Sequence, residues 1–128
     1  MRREVLAALL LAMLGMMGCG HDHPSSGAPT GSVCPAGSSL TYQSFGKQFF
    51  QDFCTRCHAG ALKGAARQGA PDDHTFDTRE QIAGETEHVD TAAAAGASAV
   101  NTRMPPSSPA PTEAQRRQLG EWLACGAK

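Results

Sequence analysis

Apolar residues in this chain arrive in short bursts at helical spacing, separated by polar stretches rich in Gly, Ser and Pro. Phe45, Phe49 and Phe53 recur every four positions with Phe50 beside them, a broad apolar face that predicts a helix over 42–57. Gly46 is costly inside that helix, by about 1 kcal/mol relative to Ala. It shares one side of the helix with Phe50 and Cys54, so a notch followed by a ring suits a second helix crossing at short range. Gly60, Gly64, Gly69 and Pro71 make 59–73 a loop. Ile82 and Val89 give an apolar side to a helix over about 78–88, opened by a capping box of either Asp77 with Glu80 or Thr78 with Gln81. A further short helical piece is expected within 92–100. Thr112 and Gln115 form another capping box, and Leu119, Trp122 and Leu123 stripe a last helix over 113–125 that Gly126 stops. Arg116 and Arg117 read as its solvated face. No run has the alternation of a strand, so the expected class is all-α, with three to four helices over 40–128.

Length and charge narrow the field. The chain has 128 residues, enough for one domain, and a formal net charge of −1, which offers no basic footprint for nucleic acid. Aromatics make up only 5%, thin for a self-sufficient core and better suited to one that includes a large apolar group. The apolar run over 5–17 follows Arg2 and Arg3 and is short for a membrane span, so 1–18 reads as a targeting segment. It ends in Met16, Met17, Gly18 and Cys19, which resembles the lipobox of bacterial lipoproteins. That resemblance implies export and an acylated Cys19; ordinary cleavage and an uncleaved anchor are the alternatives. Gly20 is not the Asp that favours inner-membrane retention in some bacteria, so the outer membrane is the expected surface, with the domain in the periplasm. The Gly, Ser, Pro and Thr content of 19–39 predicts a flexible tether, on which His21 and His23 read as ordinary polar residues.

The chemistry concentrates at Cys54, Thr55, Arg56, Cys57 and His58, a C-x-x-C-H pattern of covalent c-type haem attachment. Two thiols on one helical turn reach the two vinyl groups of one porphyrin edge, and the next residue offers its imidazole to the iron. A zinc ribbon needs a second ligand pair, and Cys19, Cys34 and Cys125 each stand alone. A thioredoxin-like pair belongs beside a βαβ pattern that the chain lacks. A chance match of two structural thiols is the remaining alternative. With Cys19 lipidated and Cys54 and Cys57 on haem, Cys34 and Cys125 are left as a disulfide candidate in an oxidising compartment. Unpaired thiols, or partners in another chain, stay open.

Gly46 and Phe50 upstream of C-x-x-C-H, with Trp122 in the last helix, give the chain a resemblance to the small bacterial class I cytochromes c over about 40–126. The resemblance implies that Trp122 packs across Gly46 and Phe50. It also implies that Met104, followed by Pro105 and Pro106, is the second axial ligand opposite His58. Thioether sulfur is a soft ligand that favours ferrous iron. Met104 is the only methionine left after the targeting segment. His74 and His88 are the alternative axial ligands. In the family a proline carbonyl often accepts from the ligand histidine's other ring nitrogen, and Pro71 holds that position here. The implied cofactor is one covalent haem c, and the implied function is electron transfer between a donor and an acceptor redox protein at an exposed haem edge. A haem sensor or small haem enzyme is the alternative, as is the electron-entry subunit of a larger membrane complex. No distal acid or base favours catalysis.

Overall fold

The computed structural model describes residues 27–128; the targeting segment, Cys19, His21 and His23 lie outside them. Among the described residues the fold is all-α, with no β-sheet and a single isolated bridge between Ala95 and Val100. A π-helical turn, Tyr42–Gly46, runs into α1 (Lys47–Phe53) and then α2 (Thr55–His58). A 3₁₀ turn, Gly64–Arg67, lies in the loop that follows. The remaining helices are α3 (Arg79–Gly84), α4 (Thr86–Ala93) and α5 (Glu113–Ala124). None is long and apolar enough to cross a membrane.

Three of these elements open on reciprocal capping boxes, at Thr41 with Ser44, Thr78 with Gln81, and Thr112 with Gln115. Each satisfies end-of-helix donors that have no partner within the helix. The expected continuous helix over 42–57 is interrupted at Cys54, whose φ of −116° departs from the value of about −63° in a regular helix while its ψ stays helical. Its carbonyl still accepts from Cys57 N–H and His58 N–H, so the C-x-x-C-H turn stays hydrogen-bonded to the end of α1. The helix expected over 78–88 is interrupted at Glu85 and resumes as far as Ala93. The piece expected over 92–100 is the end of α4 followed by the Ala95–Val100 bridge, since its residues are too small to hold a helical face.

The core gathers Phe49, Phe50, Phe76, Ile82, Val89, Leu119 and Trp122. Trp122 is fully buried and meets Phe45 and Phe50 edge-on, each with ring centroids 6.1 Å away. Gly46 is what lets α5 approach: a Cβ there would sit 2.7 Å from Trp122 Cζ2. The far end of the crossing is tied down as Trp122 Nε1–H and Tyr42 N–H both donate to the Lys128 carbonyl.

The tether expected over 19–39 is corrected for its described part. Residues 27–39 pack as a strap across α4 and α5. Thr30 is buried and binds both oxygens of Asp90, at 2.9 Å through its N–H and 2.5 Å through its hydroxyl. Gly27 N–H donates to Thr91, Asn101 Nδ2 to the Ala28 carbonyl, and Ser38 Oγ to Glu121. Cys34 is joined to Cys125 by a disulfide across 91 positions of sequence. The small residues here serve close approach: a Cβ on Gly120 would lie 2.3 Å from Ser32 Oγ and 2.5 Å from the Ala95 carbonyl.

Candidate functional site

Between α1, α2, α4 and the 103–111 loop lies a cavity of about 290 Å³. Phe49, Phe50, Phe53, Phe76 and Val89 give it apolar walls, and Cys54, Cys57, His58 and Met104 all open onto it. Cys54 and Cys57 are free thiols, separate from the Cys34–Cys125 disulfide. Burial pushes the Cys54 thiol up to about 12, against the opposing field of Arg56, so it stays protonated.

His58 closes α2, and its ring faces Phe76 with centroids 4.9 Å apart. Its Nδ1 lies 3.0 Å from the His74 carbonyl. A carbonyl can only accept, so Nδ1 carries the proton and Nε2 keeps its lone pair for an electrophile. Burial is the main cause that holds the His58 pKa below its usual 6.5, which favours the neutral ring that a metal requires.

The acceptor is therefore His74, and the expectation for Pro71 is corrected. The Pro71 carbonyl is engaged by Arg67 Nη2 instead. Arg67 is 2% exposed and gathers the loop around itself, donating to the carbonyls of Ala59 at 3.0 Å, Ala70 at 3.1 Å and His74 at 2.9 Å. The loop closes as Phe76 N–H returns to the His58 carbonyl at 2.9 Å. The carbonyl that orients His58 is thus itself held by a buried guanidinium.

Met104 is anchored at both backbone ends. Its N–H donates to Ala92 at 2.9 Å, and its carbonyl accepts from Arg116 Nη1 at 2.8 Å. The same Nη1 donates to Ala93 and Asn101. The expected solvated role of Arg116 is corrected: it is 3% exposed and belongs to the interior, while Arg117 stays outside, paired with Glu113 at 2.7 Å. Burial pulls the Arg116 pKa below its usual value. Across the mouth, Arg56 Nη1 reaches the Ser108 carbonyl at 2.6 Å, and Nη2 reaches Ser107. The C-x-x-C-H turn and the Met104 loop are thereby latched to each other.

This donor set fits a haem. The cavity is apolar where a porphyrin face would lie, two free thiols stand on one helical turn, and an imidazole with a free Nε2 shares the space with a thioether. Sequence reasoning found those four residues and missed Arg67, Arg116 and the His74 carbonyl. Comparisons with curated proteins and with solved structures find no match. A family model described as cytochrome c matches residues 44–125, which begins just before α1 and ends just after α5. The chain belongs to the cytochrome c family.

Proposed function

We propose that the protein is a membrane-tethered, periplasm-facing electron carrier with one haem c, bound through Cys54 and Cys57 and ligated by His58 and Met104. The observation that carries this reading is the convergence of two free thiols, a tautomer-fixed imidazole and an anchored thioether on one apolar cavity. The haem would supply a one-electron ferric–ferrous couple.

The chain's own residues do the remaining work. Cys54 and Cys57 would hold the porphyrin edge by thioether bonds. His58 presents Nε2 because His74 fixes its Nδ1 proton, which also raises the ring's basicity as a ligand. Met104 presents its sulfur from a loop whose backbone is clamped at both ends, so little ordering remains for ligation. With His58 and Met104 both holding the iron, no place would be left on it for a substrate, which favours electron transfer over sensing or catalysis. The phenylalanine walls exclude water and keep solvent reorganisation small. Acylation of Cys19 would hold the carrier at the membrane, outer rather than inner, and raise its effective concentration near a donor and an acceptor fixed there.

The test is expression with a c-type maturation system followed by intact-mass measurement. One haem should be added per chain and survive denaturation, and C54A/C57A should lack it. A chain that keeps the mass increment in C54A/C57A, or never acquires it, overturns the attachment.

A further inference from the structure

The side chains of His74 and His88 stand at the wall of the cavity with Glu85 beside them, and none of these three side chains is used in the steps above. Glu85 occupies the break between α3 and α4, with φ −121° and ψ 20°. His88 lies one turn on, its Nδ1 2.7 Å from Glu85 Oε2. His74 arrives from the loop, its main chain fixed by the bonds its carbonyl accepts from His58 and Arg67. Its Nε2 is 4.0 Å from the same Glu85 Oε2, and the two imidazoles stand 5.1 Å apart at centroids, tilted by 42°. One ligand atom from each residue falls within 4.8 Å of the others.

We propose that His74, Glu85 and His88 form a binding site for a divalent transition-metal ion of the zinc class. Ligand bonds of about 2.1 Å in tetrahedral geometry put donor atoms roughly 3.4 Å apart. The 4.0 Å gap closes, and the 2.7 Å contact opens, by small side-chain rotations. Two imidazoles and one carboxylate suit Zn²⁺ and its neighbours, whereas Ca²⁺ and Mg²⁺ seek sets made of oxygen. Three protein ligands leave a fourth position for water. Side-chain exposures of 19% at His74, 29% at Glu85 and 45% at His88 leave a path for an ion from solvent. The site shares the cavity wall with the haem ligands but uses neither His58 nor Met104, so it does not rest on the haem reading.

The experiment titrates ZnCl₂ into the purified full chain, with the cofactor it carries, against a chromophoric zinc chelator. H21A/H23A is the background, which removes the second histidine pair. One Zn²⁺ should bind per chain, and H88A and E85Q should each weaken binding by roughly tenfold or more, as loss of one of three ligands requires. H88A keeps the test open if H74A fails to fold, because His88 is the most exposed of the three. Its far-ultraviolet circular dichroism in EDTA should match that of the background chain, which shows that the variant folds. Absence of stoichiometric Zn²⁺ binding overturns the proposal. So does binding of unchanged affinity in both H88A and E85Q.

Discussion

On the His58 wall of the cavity Arg67 gathers four carbonyls, and on the Met104 wall Arg116 gathers three. Both guanidiniums are buried, and each holds the segment that carries one of the two proposed iron ligands. Their settings differ. Arg67 binds within its own loop, three to eight residues from its partners, and also faces exposed Asp72 at 3.4 Å. Arg116 reaches from α5 to partners 12 to 23 residues away, two of which, Ala93 and Asn101, are themselves buried. The His58 wall is thus a local structure. The Met104 wall exists only when α4, α5 and the 101–104 segment have come together.

The comparison predicts unequal consequences. Arg116→Met strips the donor from buried carbonyls that water cannot reach, at about 1–3 kcal/mol for each group left unsatisfied. The sum should lower the urea midpoint severely and release Met104 from the iron. Arg67→Met exposes its partners to a loop that solvent can enter, so the loss should be smaller, about 1–2 kcal/mol. Met104 ligation should survive while the His58 ring loses its fixed orientation. Equal losses of stability, or loss of the Met104–iron bond in both variants, would break the distinction between the walls.

Gly46→Ala provides a reference away from both walls. Its Cβ meets the Trp122 ring at 2.7 Å, an overpacking worth about 1–3 kcal/mol in denaturant unfolding. The haem spectrum should not change. A shifted spectrum would mean that the helix crossing and the ligand geometry are coupled.

The smallest effect is pH-dependent. In the haem-free chain the folded His58 pKa lies below its unfolded value of 6.5, chiefly through burial. The unfolded chain therefore binds more protons as pH falls through 6.5, and the folded state loses stability there. The Cys54 thiol acts in the other direction. Its pKa rises from 9.0 to about 12, so stability present below 9 is lost as pH climbs toward 12. Melting temperature against pH should show a plateau between these limits in the haem-free chain.

Much of this architecture was legible in the sequence. Capping boxes at Thr78 and Thr112, the phenylalanine period and the notch at Gly46 located helices and one crossing, because local hydrogen bonding and 3.6-residue periodicity act over a few residues. C-x-x-C-H was legible for the same reason. The buried arginines were not, since charge and helical position mark Arg116 as solvated, and only tertiary assembly surrounds it with carbonyls. Position in the loop points to Pro71, but a carbonyl is present at every residue, and the loop brings that of His74 to the ring. The Gly, Ser, Pro and Thr content of 19–39 points to a flexible tether, yet its described part, 27–39, is an ordered strap. Its order comes from contacts to distant Asp90, Asn101 and Cys125, which composition does not record.

The axial pair is the central claim, and Met104 is its most exposed point. The direct measurement is the near-infrared Met-to-iron charge-transfer band of the oxidised, haem-loaded protein, with Met104→Ala alongside. The band should be present in the native chain, carbon monoxide should bind its reduced form poorly, and Met104→Ala should abolish the band and admit the gas. A native protein without the band that binds carbon monoxide readily would contradict the account.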